Sequence, residues 1–240
     1  MQSPFSNIPP VVKNLLIVNI IFFLAFLLID HGSSLGPLSN YLAVYYFNSP
    51  RFYPWQIITY MFMHGGFLHI FFNMFVLFQF GPIVEYSIGS KKFFNFYFVC
   101  GIGAVVLQMV VQAFEIHAIT GGFTIPNPST DPNFYYQYGY QAQKMYDIYL
   151  GGMVGASGAI SGVMVAFAML YPNMELMIMF IPVPVKAKYI IPGYLVVEVY
   201  LSVHQTTGDN VAHLAHLGGA IVGFLMVKAL GMQKPNNNLY

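Results

Sequence analysis

The sequence predicts an all-α protein that crosses a membrane several times. Three observations carry that reading. The 240 residues are 57% hydrophobic and only 7% charged, with a mean hydropathy of +0.63, whereas a soluble domain carries about 25% charged residues. The apolar residues gather into six stretches of helix length, separated by glycine, proline and polar turn residues. The few polar side chains inside those stretches recur three or four residues apart, the spacing of one helix face. The net charge of +1 says nothing about nucleic acid, and no basic run suggests such a partner, so none is expected. A single cysteine, Cys100, excludes an intrachain disulfide and reads as a small core residue.

In order, the chain reads as a short tail, 1–13, and then one membrane domain, 14–230. The first span is expected over 14–29. The apolar run behind Lys13 has no A-x-A-like cleavage site, so an uncleaved span is expected. A long first loop, 30–65, is rich in Tyr, Phe and Pro and holds Trp55, which suits a segment lying in the membrane interface. Gly65-Gly66 breaks the chain before a second span over 66–86, and Lys91-Lys92 opens a third over 93–114.

Residues 115–149, with Pro126, Pro128, Pro132 and the run Tyr135 to Gln141, read as an inserted external loop. The fourth span is expected to begin at Ser157 and to stop at Tyr171, because proline at 172 disfavours helix for its predecessor. Residues 174–185 are apolar but hold Pro182 and Pro184, and read as an interfacial return. The fifth span is expected over 189–203, with Pro192, Gly193 and Glu198 inside it. Gly208-Asp209-Asn210 offers N-cap residues for a sixth span over 211–230. A tail, 231–240, follows.

Six spans put both termini on one side. With the N-terminus inside, the cytoplasmic segments hold Lys13, Lys91, Lys92, Lys186, Lys188, Lys228 and Lys234, leaving only Arg51 and Lys144 of the nine basic residues outside. The positive-inside rule therefore predicts cytoplasmic termini and an outward-facing start for the fourth span. The expected location is a bacterial inner membrane, with the site opening to the periplasmic or extracellular side.

The stretch Gly155-Ala156-Ser157-Gly158-Ala159-Ile160-Ser161-Gly162 is where chemistry is expected. About 15 helical residues from Ser157 span roughly 22 Å, against a hydrocarbon core of roughly 30 Å. The serine is thus expected below the membrane surface, where a polar group needs a watery cavity and a role. His69 and Asn73 are four apart in the second span. His213 and His216 are three apart in the sixth, and counting helix rise from Asn210 places His216 about 9 Å deep, level with Ser157. Gly219 and Gly223 repeat the spacing of Gly158 and Gly162. Small residues so spaced let two membrane helices approach closely, which would set His216 beside Ser157.

Taken together, His64-Gly65-Gly66-Phe67-Leu68-His69-Ile70-Phe71-Phe72-Asn73, Gly155-Ala156-Ser157-Gly158 and Ala215-His216-Leu217-Gly218-Gly219 resemble the motifs of the rhomboid family of intramembrane serine proteases. The resemblance runs from about Trp55 to Leu230. It implies a six-helix rhomboid-type bundle that cleaves single-pass membrane proteins in or near their transmembrane segment. Carried over by position, it makes Ser157 the nucleophile and His216 the base. His69 and Asn73 match the oxyanion-stabilising pair, beside the Ser157 N–H, and Gly81, Glu85 and Gly89 match a structural G-x3-E-x3-G stretch. Gly155, Gly158, Gly162, Gly219 and Gly223 are expected in supporting roles.

Two departures stand out. Gln56 follows Trp55 where the family often has arginine, and Ser161 stands where many members have an aromatic packed on the histidine. Ser161→Phe or Ser161→Tyr is therefore expected to raise activity if the pocket has room.

The chemistry follows from the residue types. A serine hydroxyl is a weak nucleophile that a neutral imidazole can activate, and hydrolysis needs donors aimed at the developing oxyanion. No aspartate is placed to orient His216, so a dyad is expected, with no cofactor and no metal. Two other classes compete. One is an inactive rhomboid-like scaffold, which usually lacks a dyad residue. The other is a metal site built on His64, His69, His213 and His216. A metalloprotease would need H-E-x-x-H, which the 64–69 run lacks, and no membrane carboxylate is expected near the four histidines.

Overall fold

The computed structural model describes residues 8–177, 184–204 and 212–233. Every one of the six apolar stretches carries a helix. In chain order the helices are α1 (Pro10–Ile29), α2 (Pro37–Leu42), α3 (Gln56–Thr59), α4 (Phe67–Ile88), α5 (Ser90–Thr120), α6 (Ala142–Leu150), α7 (Ser157–Leu170), α8 (Ala187–Val203) and α9 (His213–Ala229). α1, α4 and α5 are each long and apolar enough to cross a membrane, while α7 and α9 are shorter apolar helices. Large apolar side chains such as Leu28 of α1, Phe67 and Phe71 of α4, Val106 of α5 and Val196 of α8 are exposed on the outside of the bundle, where lipid is the solvent that accepts them.

α1 starts at Pro10, ahead of the expected residue 14, because Pro9 is extended and Pro10 sits at the first helical position, where a missing N–H costs nothing. Its next two amides are capped from another helix. Val11 N–H donates to Glu85 Oε1 at 3.0 Å and Val12 N–H to Glu85 Oε2 at 2.8 Å. Ser90 Oγ adds a third bond to Glu85 at 2.6 Å. The acid is 1% exposed, so it ties the start of α1 to the end of α4. Gly89 closes α4 at φ +84 and lets α5 begin one residue later. Ser87 and Tyr171 bond through their hydroxyls at 2.7 Å, joining the ends of α4 and α7.

The first loop is folded and not a simple connection. Asp30 caps α2 by accepting from Leu38 N–H at 2.8 Å and Ser39 N–H at 2.7 Å. Gln56 is fully buried. Its Nε2 donates to the Arg51 carbonyl at 3.0 Å and its Oε1 accepts from Tyr53 N–H at 3.0 Å. The amide therefore anchors the loop at the position where the family often has arginine.

The expected loop over 115–149 is corrected in the same way. α5 continues to Thr120 and ends on Gly121 in the left-handed region, φ +76. Glu115 stays helical and pairs with Lys144 at 2.8 Å. A 3₁₀ segment, Pro132–Gln141, leads into α6. Ile116, Ile125, Tyr135, Met145, Ile148 and Tyr149 bury a small core of their own against Tyr46 of the first loop. The stretch is thus a folded cap over that end of the bundle.

The expected interfacial return contains a two-stranded antiparallel hairpin, β1 (Glu175–Met177) with β2 (Pro184–Lys186), in which Glu175 faces Lys186. Pro182 and the Gly208-Asp209-Asn210 turn lie outside the described residues. The first described turn of α9 begins at His213, behind Ala212.

α7 is the centre of the bundle. Ten of its 14 residues are buried, among them Gly158, Ser161, Gly162 and Phe167. A helix enclosed on nearly all sides needs small residues where neighbours come close, and α7 has them.

Candidate active site

Ser157 is the first residue of α7. The chain is delivered to that point by a backbone bridge between Val44 and Met153, with N–H to carbonyl distances of 3.0 and 2.9 Å. Gly155 N–H then donates to the Tyr60 carbonyl at 2.9 Å. The Tyr60 hydroxyl reaches the Gly101 carbonyl in α5 at 2.9 Å. Gly155 has φ +126, and a Cβ there would stand 2.7 Å from His69 Nε2 and 3.5 Å from Ser157 Oγ. This glycine both turns the chain and leaves room for the imidazole beside the serine.

The two glycine pairs meet as their spacing suggests. A Cβ on Gly219 would fall 2.6 Å from the carbonyl carbon of Gly158, and one on Gly223 would lie 2.7 Å from the Gly162 Cα. α7 and α9 are in backbone contact at both levels. That contact places His216 Nε2 at 2.7 Å from Ser157 Oγ. Ser157 opens α7 and His216 is the fourth residue of α9, about 4.5 Å along its axis, so both lie in first turns at the same end of the bundle.

His69 is half-buried in α4 beside Gly155, and the ring of His64 stands edge-on to it at 5.0 Å. Asn73, one turn further along α4, is 6% exposed, and its Nδ2 has no hydrogen-bond partner among the described residues. A buried donor left without an acceptor costs about 1–3 kcal/mol, so it is the kind of group that waits for a ligand oxygen. As the first residue of α7, Ser157 has a backbone N–H with no intrahelical acceptor. Both expected oxyanion residues thus lie on one stripe of α4, at the end of that helix facing the serine.

Glu198 was missed by the sequence reading, which expected no carboxylate near the histidines. It is buried on α8. Its Oε2 accepts from His213 Nδ1 at 2.7 Å, and its Oε1 lies 3.0 Å from His216 Nδ1. The His216 Nδ1 has no aligned hydrogen bond, and this carboxylate oxygen is placed to supply one. The signal was present in the sequence, since a carboxylate inside a membrane helix marks a functional position by default.

Ser161 is 2% exposed. Its hydroxyl donates to the Ser157 carbonyl at 2.9 Å and meets the Tyr194 hydroxyl at 3.2 Å. Tyr194 stands one turn before Glu198 on α8. Support for His216 therefore comes from α8 and not from residue 161. The ligand atoms of Glu198, His213 and His216 lie within 4.8 Å of one another, a set that could hold a divalent cation.

A family model described as the Rhomboid domain matches residues 51–233, and the chain belongs to the rhomboid family. It is 29% identical over 175 residues to Rhomboid protease AarA of Providencia stuartii, covering 72% of this chain and 54% of that protein. Rhomboid-like protease 1 of Toxoplasma gondii is 28% identical over 127 residues, covering 50% and 43% respectively. Rhomboid protein 1, mitochondrial, of Saccharomyces cerevisiae is 26% identical over 176 residues, covering 71% and 40%. The chain spans about half the length of these relatives. Family and apolar helices together make it a multi-pass membrane protein of a protease family.

Proposed function

We propose that the protein is an intramembrane serine endopeptidase that cleaves single-pass membrane proteins in or near their transmembrane segment. The observation that carries this reading is the 2.7 Å contact between Ser157 Oγ and His216 Nε2. Ser157 Oγ attacks the scissile carbonyl as its proton passes to His216 Nε2. The oxyanion receives the Ser157 N–H and side-chain donors from His69 and Asn73; loss of one such donor costs about 10²–10³ in rate. His216 then protonates the leaving amine. Water, deprotonated by the same imidazole, releases the acyl group from Ser157. Gly155, Gly158, Gly162, Gly219 and Gly223 hold the two helices at reacting distance.

Residues 14–230 form one membrane domain crossed six times, with the tails 1–13 and 231–240 in the cytoplasm. Lys13, Lys91, Lys92, Lys188 and Lys228 lie at the end of the bundle where Glu85 meets α1, opposite Ser157, which supports a site opening outward. The membrane is taken to be a bacterial plasma membrane, although two relatives are mitochondrial. An inactive scaffold is the second reading, and the retention of both Ser157 and His216 favours the enzyme.

Purified protein with a generic single-pass substrate tests the proposal. Ser157→Ala and His216→Ala should each abolish cleavage with folding retained, and His216→Ala should also abolish labelling of Ser157 by a fluorophosphonate. His213→Ala should keep measurable labelling. Chelators should have no effect. Substantial cleavage by Ser157→Ala, or activity lost to a chelator and restored by zinc, would sink the reading.

A further inference from the structure

We propose that Glu198 is a positioning residue that turns the serine–histidine pair into a Ser157–His216–Glu198 relay, with His213 fixing the carboxylate from its other side. This rests on the reading of Ser157 and His216 as the catalytic pair. The two oxygens of Glu198 face different imidazoles, Oε1 at 3.0 Å from His216 Nδ1 and Oε2 at 2.7 Å from His213 Nδ1. A carboxylate can only accept, so a ring nitrogen that bonds it carries its proton, as His213 Nδ1 does at 2.7 Å and as His216 Nδ1 does on closing its 3.0 Å gap to Oε1. For His216 that choice of tautomer leaves the Nε2 lone pair directed at Ser157 Oγ, 2.7 Å away.

The placement argues against a chance contact. α8 buries Ala187, Ile191 and Glu198, while Tyr189, Val196, Val197, Val199 and Tyr200 are exposed. The one charged residue on the apolar body of this helix is on its buried stripe. A carboxylate taken out of water is costly unless paired and hydrogen-bonded. Here it has the His213 bond and the His216 ring beside it.

During the reaction one proton moves from Ser157 Oγ to His216 Nε2, and the proton on Nδ1 stays where it is. The imidazolium that results then faces a negative carboxylate at contact distance, in surroundings where water screens little. Glu198 takes no proton at any step. It holds the ring and offsets its charge, the part a buried acid plays in a serine–histidine–acid triad.

Glu198→Gln keeps the shape and removes the charge, and its amide N–H₂ favours the wrong tautomer of His216. It should lower kcat on the order of 10²–10⁴-fold, with KM within about threefold of the parent and the thermal midpoint in detergent retained. Glu198→Asp, which restores the charge, should recover at least about tenfold of that loss. Should Glu198→Gln lose its thermal transition, Glu198→Asp and His213→Gln carry the test, and their losses must again fall on kcat. The inference is overturned if Glu198→Gln folds and turns over within about threefold of the parent. It is also overturned if the losses fall on the thermal midpoint alone. Ser157→Ala separates the two claims, because a dead Ser157→Ala beside an unaffected Glu198→Gln removes this inference and leaves the protease reading standing.

Discussion

Gly219 lies against the backbone of Gly158 so closely that no side chain fits between them; a Cβ would stand 2.6 Å from one backbone carbon and 3.2 Å from the next. What blocks it is main chain, which cannot swing aside as a side-chain tip can. Gly219→Ala must therefore push α9 off α7. Overpacking of this kind costs about 1–3 kcal/mol, and a shift near 1 Å at the reacting pair can cost about 10²-fold in rate. The expected outcome is a lower thermal midpoint with an at least tenfold loss of cleavage. Gly193→Ala on α8, which has nothing within 4 Å, is the control and should match the parent. Equal behaviour of the two variants would show that the helix contact does not set the site.

Glu85 gives a prediction about stability that is separable from chemistry. It caps two amides of α1 from the far end of the bundle, and hydrogen bonds to a charged group contribute about 1.5–3 kcal/mol each before non-additivity. Glu85→Ala should lower stability on the order of 2–3 kcal/mol, read as a drop in thermal midpoint. Below that midpoint, fluorophosphonate should still label Ser157. A variant that keeps its midpoint and loses labelling would give Glu85 a role in the site and not in the frame.

The pairing of α7 with α9 was legible in the sequence because small-residue spacing is a local property of each helix, and the Ser157–His216 contact followed from it. Glu198 was visible as a carboxylate inside a membrane helix, but its partners were not, for a physical reason. Its relation to the histidines depends on how α8 is rotated about its own axis, and nothing in the α9 sequence encodes that rotation. The cap was hidden for a different reason. Its core joins Met145, Ile148 and Tyr149, on one face of the nine-residue α6, to Ile125 and Tyr135 from irregular chain, so the helical pattern is only about two turns long and sits among residues that look like loop composition. The true end of α5 was obscured by Glu115, a charge that reads as an exit from the membrane but is paired with Lys144 on the helix surface.

The cap also tests the direction of the chain across the membrane. Tyr140 is 95% exposed and follows Gly139, which has φ +58, whereas Tyr135 and Tyr149 are buried. Chymotrypsin added to intact spheroplasts should cut after Tyr140 and spare the two buried tyrosines. Protection from outside with cutting from the cytoplasmic face would reverse the proposed topology for the whole chain.

Ser161 settles a question that the sequence left conditional. Activity was expected to rise with Ser161→Phe or Ser161→Tyr if the pocket had room, and the structure leaves none. Ser161 is 2% exposed, and its hydroxyl sits between the Ser157 carbonyl and the Tyr194 hydroxyl at 2.9 and 3.2 Å. An aromatic ring there would have to displace Tyr194, and with it one neighbour of Glu198. Ser161→Phe should therefore lower both the thermal midpoint and cleavage, by about 1–3 kcal/mol in stability or more. Ser161→Ala removes two modest hydrogen bonds, each worth about 0.5–1.5 kcal/mol, and leaves Ser157 and His216 in place. It should cleave within a few-fold of the parent and take the fluorophosphonate label at Ser157. Loss of labelling in Ser161→Ala would mean that the hydroxyl at 161 takes part in the chemistry; a gain of activity in Ser161→Phe would mean that the histidine is held from residue 161 after all.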